Sequence, residues 1–246
     1  MEGWNVAATA RDPAALDELA GRHPNVLPLR LDVTDEGSIR EAVAAAFKRF
    51  GSIDVLVNNA GYGLFGPLEG ATDGELEAIF RTNFFGAAAA IRHVLPHMRQ
   101  QKSGTIINMS SLGGRIATPF AVGYFSSKFA LEGFSESLRY EVAPHRIRVK
   151  LIEPAHFKTG FFGSRLQFTS HPAYEQAFRT YMKWVRREEE KAPEPGPVVD
   201  AILRAANDQS HKLRYPVGGG LLLFTHRLLP DGFWRGLNAM GMTKEP

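Results

Sequence analysis

The sequence predicts an α/β protein with a doubly wound parallel sheet, in which helices cover both faces of the sheet to give three layers (α/β/α). Short apolar runs alternate along the chain with longer amphipathic segments. This alternation is typical of parallel strands joined by helical crossovers. Runs such as Ile53–Asn58 are apolar over most of their length, which indicates strands buried on both faces.

The predicted strands are short, bounded by turn residues and poor in alternating polar positions: Trp4–Ala10, Val26–Val33, Ile53–Asn58, Thr105–Ser110, Arg148–Glu153 and Leu213–Val217. Three helices are clearest between them. Apolar residues from Ile39 to Phe50 form one stripe at helical spacing. A capping box at Thr72–Glu75 starts a helix that we expect to end near Pro96, and a third helix spans about Val122–Ala143.

Composition indicates one globular domain over residues 1–246. The chain is 44% hydrophobic and 22% charged, an ordinary balance for a protein with one core. We interpret the segment PEPGP at 193–197 as a loop within this domain. The net charge of +3 comes from interleaved acids and bases without a polybasic block, so we expect no nucleic-acid partner.

Several function classes are excluded by what the sequence lacks. It has no cysteine, which excludes disulfides and cysteine nucleophiles. His93 and His97 have a metal-ligand spacing, but they lack the glutamate of the metalloprotease pattern and Pro96 disturbs the turn, so we expect no metal site. No apolar run approaches the roughly 20 residues that span a bilayer, so we expect no integral membrane segment. The first residues do not form a signal peptide. We therefore expect a cytoplasmic protein.

Gly61, Gly63 and Gly66 have the G-x-G-x-x-G spacing of a dinucleotide fingerprint. A true fingerprint opens a helix at its last glycine and is followed by an acid about 20 residues later. Here Pro67 follows at once and the next predicted helix begins only at Thr72. We predict that this segment does not bind a pyrophosphate.

Tyr124 and Lys128 lie four residues apart near the start of a predicted helix, so they share one face. A free phenol has a pKa near 10 and is a poor base at neutral pH. A lysine ammonium about 4 Å away stabilises the phenolate by about 4 kcal/mol at an effective dielectric near 20, roughly three pKa units as an upper estimate. The pair predicts a phenol activated for proton transfer. The alternative is an aromatic packing residue beside a surface lysine.

Three polar segments surround this pair. Ser110 and Ser111 close one strand, Asn58 closes another, and Asn83 lies inside the predicted helix between them, where an amide is unfavourable. The carboxyl ends of parallel strands meet at one edge of a sheet and form its ligand crevice. We therefore expect these polar groups to gather near Tyr124.

Together these residues resemble the classical short-chain dehydrogenase/reductase (SDR) family over nearly the whole chain. The resemblance rests on NNAG at Asn58–Gly61, TNFFG around Asn83, Ser111 thirteen residues before Tyr124, and Lys128 four after it. Three further segments are most similar to the branch that contains 17β-hydroxysteroid and retinol-type dehydrogenases: NNAGYGLFGPLE, PF-x-x-x-Y ending at Tyr124, and EP-x-x-x-x-T ending at Thr159. The family also implies a homo-oligomer.

The resemblance implies a catalytic role for four residues. Tyr124 is the expected general acid/base, and Lys128 is expected to lower its pKa and hold the nicotinamide ribose. Ser111 is expected to hydrogen-bond the substrate oxygen. Asn83 is expected to hold a water in the proton relay.

The resemblance also implies cofactor contacts. Asp32 and Val33 are expected to border the adenine, and Thr159 to meet the nicotinamide carboxamide. Residues on the adenosine side are Asn58, Ala60 and Gly61. The family usually has glycine where this chain has Ala155, which changes the loop that approaches the nicotinamide.

Arg11 predicts the choice of cofactor. NAD enzymes of this type carry an acid at the end of the second strand to bind the ribose 2′-hydroxyl. Here that position is Ala10, followed by Arg11. A guanidinium suits a 2′-phosphate, so the sequence favours NADP(H) over NAD(H). The alternative is a turn arginine in solvent.

The family begins with a strand, a T-G-x-x-x-G-I-G loop and a helix, and the strand at Trp4–Ala10 corresponds to the second strand of that pattern. The resemblance therefore predicts a gap of about two strand spacings, roughly 9–10 Å, between Trp4–Ala10 and Ile53–Asn58. Two explanations stay open. Either roughly 25 further residues precede Met1, by comparison with the family's first β–α unit, or the chain is a degraded or repurposed relative.

The segment 155–197 corresponds to the substrate lid of the family and is rich in aromatic residues: Phe157, Phe161, Phe162 and Phe168. An apolar lid predicts an apolar alcohol or ketone, similar to a steroid, retinoid or lipid. The predicted function is hydride transfer between NADP(H) and such a substrate. The alternative is a catalytically inactive relative that binds a ligand or a partner.

Overall fold

The computed structural model describes residues 3–230, 232–234 and 236. Its strands are β1 (Val6–Ala10), β2 (Val26–Arg30), β3 (Val55–Asn58), β4 (Gly63–Phe65), β5 (Gly104–Met109), β6 (Ile147–Pro154), β7 (Leu166–Phe168) and β8 (Arg214–Val217). Its α-helices are α1 (Asp17–Arg22), α2 (Glu36–Phe50), α3 (Asp73–Phe80), α4 (Gly86–Gln101), α5 (Val122–Val142), α6 (Glu175–Lys191), α7 (Gly196–Asn207) and α8 (Gly220–Leu228). None of the described helices combines the length and the apolar character needed to cross a bilayer.

The main sheet has the order β3-β5-β6-β8, and every pair in it is parallel. Successive residues of a strand face opposite sides of a sheet. Ile106 accordingly packs in one cluster with Val94 of α4 and Leu138 of α5. Its neighbour Ile107 packs in another cluster with Ala201 of α7. Helices therefore cover both faces of the parallel sheet, which confirms the predicted three-layer α/β fold.

The parallel strands are interrupted between β1 and β3. β1 pairs with β2, and β3 pairs with β5, in two separate sheets; within the described residues no strand pairing joins β1 to β3. Val57 of β3 is 40% exposed, whereas Ile106 and Ile107 of the neighbouring β5 are fully buried. The interruption lies where the family resemblance predicts a gap; the predicted width of that gap stays a prediction.

Helix packing connects the β1–β2 unit to the rest of the molecule. Ile39 of α2 is buried in one cluster with Ala89 and Ala90 of α4. Gly86, the first residue of α4, lies against Val33, so close that a Cβ there would sit 2.8 Å from the Cβ of Val33. The chain after β2 is thereby fixed beside the segment that carries Asn83.

The predicted helix from Thr72 is confirmed at its start. The Thr72 hydroxyl accepts a hydrogen bond from the Glu75 amide (3.2 Å), and the Glu75 carboxylate accepts one from the Thr72 amide (2.8 Å). These reciprocal bonds satisfy two backbone donors at the helix end.

The expected end of this helix near Pro96 is wrong. The helical segment contains a π-helical turn at Arg81–Phe85 and then continues as α4 through Pro96 to Gln101. A proline removes one backbone hydrogen bond, but α4 buries Ile91, Val94 and Met98 on both sides of it. This apolar burial outweighs the single lost bond.

The glycine-rich segment forms a strand rather than a helix start. β4 pairs in parallel with β7, and this second small sheet was not predicted. Gly66 has φ 138°, and a Cβ there would lie 2.2 Å from the Thr169 carbonyl oxygen. The prediction that Gly61–Gly66 does not open a helix is confirmed.

Candidate active site

Tyr124 and Lys128 lie on the buried face of α5, one turn apart, and are 8% and 6% exposed. The Lys128 Nζ donates a hydrogen bond to the carbonyl oxygen of Met109, the last residue of β5, at 2.7 Å. The same Nζ lies 5.9 Å from the centre of the Tyr124 ring. The predicted shared face therefore points at the carboxyl end of β5.

Burial controls the acidity of both groups. It raises the pKa of Tyr124 to about 12, and the Ser111 side chain offsets part of this rise. It lowers the pKa of Lys128 to about 8, against the opposing effect of the Glu132 carboxylate. Burial disfavours the charged form of each group, and the expectation that Lys128 lowers the pKa of the phenol stays a prediction. Tyr124 is therefore a protonated phenol at neutral pH.

Ser111 lies at the end of the segment that follows β5. Its hydroxyl caps a short turn by accepting from the Gly113 amide at 3.0 Å, and it donates to the Pro154 carbonyl at 3.4 Å. These contacts place the hydroxyl between β5, β6 and Tyr124.

Asn83 is 2% exposed and lies in the π-helical turn. Its amide nitrogen donates to the Tyr62 carbonyl and to the Ser127 hydroxyl, both at 3.0 Å, and its oxygen accepts from the Tyr62 amide at 3.0 Å. A π-turn changes the direction of a side chain within a helix and is frequent at functional sites. Here it lets one amide connect the segment after β3 with α5.

The segment after β3 lies close to both groups. A Cβ on Gly61 would sit 3.1 Å from the Asn83 amide oxygen and 3.7 Å from the Lys128 Nζ. Ala60, which precedes it, is exposed. Gly61 is thus a position where the absence of a side chain permits close approach. We call Asn83, Ser111, Tyr124 and Lys128, with this segment beside them, the α5 site.

Asn58 starts a chain of buried hydrogen bonds that the sequence did not reveal. Its amide donates to the Asn108 oxygen at 2.8 Å, and the Asn108 amide donates to the Ser135 hydroxyl at 2.8 Å. Asn108 and Ser135 are fully buried. The sequence feature that could have indicated these bonds is Asn108 itself, because a buried asparagine in an otherwise apolar strand requires a hydrogen-bond partner.

Arg11 and Asp32 lie at the carboxyl ends of β1 and β2. The Asp32 carboxylate accepts from the Thr34 amide (2.9 Å) and hydroxyl (2.7 Å), and these bonds lower its pKa. The Arg11 and Arg30 guanidiniums lower it further. Arg30 was not predicted, although it pairs in register with Ala10. We call Arg11, Arg30, Asp32 and Val33 the β1–β2 edge.

Aromatic rings cover Tyr124. The centre of the Phe161 ring lies 5.3 Å from that of Tyr124, and the Phe65 ring of β4 lies 6.1 Å away. Thr159 is exposed, and its hydroxyl accepts from the Phe161 amide at 3.3 Å. Ala155 donates its amide to the Val217 carbonyl at 2.9 Å. The segment after β6 therefore approaches the α5 site.

A buried charge network lies next to the α5 site and was missed by sequence reasoning. Glu132 and Glu153 are 4% and 1% exposed and share the Arg214 guanidinium, at 3.0 and 3.3 Å. Arg115 donates to Glu153 at 3.3 Å. Burial, followed by repulsion from Glu132, raises the pKa of Glu153 to about 7. The sequence feature that could have indicated this network is the position of Glu132, one turn after Lys128 on the same helix face.

Within the part of the chain that the structure describes, no three histidine, aspartate or glutamate side chains are grouped so that they could hold a metal ion. The chemistry of the α5 site consists instead of a phenol, a hydroxyl, an ammonium and an amide.

The chain is similar to known oxidoreductases along most of its length. It is 39% identical to the uncharacterized oxidoreductase YusZ of Bacillus subtilis, over 94% of this chain and 88% of the relative. It is 38% identical to 3-ketodihydrosphingosine reductase of Bacteroides thetaiotaomicron, over 88% of this chain and 80% of that protein.

The chain is also similar to solved structures along most of its length. A short-chain dehydrogenase from Streptomyces avermitilis matches with a TM-score of 0.83 and 35% identity, over 96% of this chain and 87% of that one. ElxO with NADP bound has a TM-score of 0.74, 26% identity and 90% coverage of each chain. A 3-ketoacyl-(acyl-carrier-protein) reductase from Brucella melitensis, complexed with NADH, has a TM-score of 0.74 and 25% identity, over 89% of this chain and 88% of that one. The family model for short chain dehydrogenases matches residues 1–169. The chain therefore belongs to the short-chain dehydrogenase family of oxidoreductases.

Proposed function

We propose that this chain transfers a hydride between NADP(H) and an apolar alcohol or ketone, with Tyr124 as the general acid/base. The observation that carries the proposal is the position of the Tyr124 phenol. It is buried, protonated at neutral pH, close to the Ser111 hydroxyl and covered by the Phe161 ring. A proton donor beside a second hydroxyl is the arrangement that binds and protonates a carbonyl oxygen.

The family implies a nicotinamide dinucleotide cofactor, and the space beside Gly61 supports its binding at the α5 site. Gly61 leaves room for close approach next to Lys128, since a side chain there would contact both Asn83 and Lys128. Lys128 would hold the nicotinamide ribose, and Thr159 the carboxamide. Asp32 and Val33 would border the adenine, with Asn58 and Ala60 beside the adenosine. The bound cofactor would supply the hydride.

In the reducing direction, the protein side chains would act on the substrate oxygen. Ser111 would donate a hydrogen bond to the carbonyl, and Tyr124 would give up its proton as the oxygen becomes an alkoxide. The Lys128 ammonium would stabilise the resulting phenolate, which burial alone makes costly. Asn83 would hold a water in the proton relay. It would also position the segment that contains Tyr62, because its amide is bonded to that backbone.

The preference for NADP(H) is supported by charge at the β1–β2 edge. Arg11 and Arg30 both act on the Asp32 carboxylate, so two guanidiniums lie near the end of β1. A guanidinium binds a phosphate with paired, charge-assisted hydrogen bonds. ElxO binds NADP, while the Brucella reductase is complexed with NADH, so these relatives are compatible with either cofactor. The preference for NADP(H) is inferred from the two arginines alone.

An apolar substrate is supported by the aromatic residues around Tyr124. Phe65, Phe161 and Tyr181 belong to one cluster with it, and the segment 155–197 would act as the substrate lid. One relative is named 3-ketodihydrosphingosine reductase, after the ketone that it reduces. A lid of this composition favours carbonyl groups on apolar carbon skeletons.

The test is oxidation of NADPH and of NADH, followed at 340 nm, with long-chain aliphatic, steroid and retinoid carbonyl compounds and with a small polar ketone as a control. We expect turnover that is faster with NADPH and with the apolar compounds. Absence of turnover in both directions with either cofactor would overturn the proposal and favour a module that only binds a ligand or a partner.

A further inference from the structure

The buried charge network consists of Arg115, Glu132, Glu153 and Arg214, and it connects elements that surround the α5 site. Glu132 lies on α5 one turn after Lys128, Glu153 lies on β6, and Arg115 follows the turn capped by Ser111. Arg214 of β8 contacts both buried carboxylates. Isolated buried charges are strongly unfavourable, so a network of this kind constrains every element that supplies a member.

Glu132 faces Lys128 and is not fully neutralised by its partners. Its Oε2 accepts from Arg214, but its Oε1 is buried and has no hydrogen-bond donor among the described residues. The two residues lie one turn apart on α5, and Gly114 packs against both: a Cβ there would lie 2.9 Å from the Glu132 Cγ and 3.2 Å from the Lys128 backbone oxygen. The free oxygen leaves negative charge in the low-dielectric region that contains the Lys128 ammonium.

We propose that Glu132 is a positioning residue that keeps Lys128 charged, and that Arg214 holds it in place for this role. The inference extends the proposed function, since it concerns the lysine that would support Tyr124. Other charged groups also face Glu132. Arg214 contacts it at 3.0 Å, and Glu153 shares that arginine at 3.3 Å. Arg115 contacts Glu153, and the exposed Glu136 contacts Arg214.

The direct test is the pKa of Lys128, measured by NMR on protein labelled with ¹³C at lysine Cε and assigned with Lys128→Arg. Burial lowers this pKa to about 8, and the Glu132 charge raises it. Replacing that charge in Glu132→Gln should lower the pKa of Lys128 by about one further unit. This readout does not depend on turnover, so the proposed function and the present inference can fail separately.

Glu136→Gln is the matched control. Glu136 lies one turn further on the same helix and contacts the same arginine, at 2.7 Å, but it is exposed. We expect this variant to leave the pKa of Lys128 unchanged. Glu132→Asp, which retains the charge, should restore the pKa toward the wild-type value and serves as the second variant if Glu132→Gln folds poorly.

Kinetics provide a second readout. If Glu132 acts through Lys128, the alkaline limb of the kcat/KM profile should move to lower pH in Glu132→Gln and stay in place in Glu136→Gln. The proposal is overturned if the pKa of Lys128 is the same in wild type and Glu132→Gln, even where the variant loses thermal stability.

Discussion

The α5 site is buried and the β1–β2 edge is largely exposed, and this difference suits the first to proton transfer and the second to recognition of a cofactor phosphate. Tyr124 and Lys128 are almost fully buried, and burial shifts the pKa of each away from its ordinary value. Arg11 is exposed, and Asp32 is only partly buried. Proton transfer requires groups whose acidity the protein can adjust. Recognition of a phosphate requires charges that stay reachable from solvent, so we assign chemistry to the first region and cofactor choice to the second.

The largest expected effect is at the α5 site. Tyr124→Phe removes the proton donor but keeps the ring in its aromatic cluster, so turnover should fall by about 10²–10⁴-fold while NADPH affinity is retained. Steady-state kinetics and fluorescence titration would measure the two quantities. Tyr140→Phe, an exposed tyrosine on the same helix, is the control. Equal turnover in wild type and Tyr124→Phe would contradict the assignment of chemistry to this site.

Asn83 should also contribute to stability. Asn83→Ala removes three hydrogen bonds from a buried position, which should lower the free energy of unfolding by about 3 kcal/mol. Urea denaturation measures this loss. Asn207→Ala, which removes one bond from an exposed helical residue, should cost much less. Similar losses in both variants would show that the π-helical turn does not depend on Asn83.

Glu153, in the charge network beside the α5 site, and Asp32, at the β1–β2 edge, should make the stability depend on pH with opposite signs. The folded-state pKa of Glu153 is raised to about 7, so the folded state binds more protons than the unfolded state. Stability should therefore fall as pH rises from about 4.5 to about 7, by about 3 kcal/mol. Glu153→Gln should remove this slope. The pKa of Asp32 is lowered. The stability that Asp32 contributes is therefore fully present above the pKa of this group in the unfolded chain, and it is lost as pH falls through the pKa in the folded state. Denaturation between pH 3 and 8 measures both slopes; a slope between pH 4.5 and 7 that survives in Glu153→Gln would contradict this assignment.

The smallest expected effect is at the β1–β2 edge. Arg11→Ala should lower the preference for NADPH over NADH by about tenfold, the effect of one exposed charge-assisted contact. The ratio of kcat/KM values for the two cofactors measures it. Arg22→Ala, which removes the same charge from an exposed ion pair on α1, should leave the ratio unchanged. A ratio that does not move in Arg11→Ala would mean that this arginine is only a turn residue in solvent.

The fold could be predicted because its signal is local. The apolar runs at Thr105–Ser110 and Arg148–Glu153 coincide within one residue with β5 and β6. The exceptions are elements defined by distant partners. β4 is three residues long and exists because it pairs with β7, about a hundred residues later in the chain. The π-helical turn depends on the partners of Asn83 rather than on helix propensity.

The site could be predicted in part. Motif spacing indicated Tyr124, Lys128, Ser111 and Asn83, and the structure places Lys128 next to Gly61 and Asn83. The direction of the Tyr124 pKa shift was not predictable, because burial is a property of the folded protein. Arg30, Glu132 and Arg214 were missed for the same reason: each matters through a partner that only the fold brings close.

The most direct test of the division between the two regions is one set of kinetics on wild type, Tyr124→Phe, Arg11→Ala and the double variant, each with NADPH and NADH. Distant, independent sites have additive effects. We predict that Tyr124→Phe lowers kcat/KM equally with both cofactors, that Arg11→Ala changes only their ratio, and that the double variant combines the two effects. An Arg11→Ala variant that loses activity equally with both cofactors, or a Tyr124→Phe variant with an altered ratio, would contradict the account.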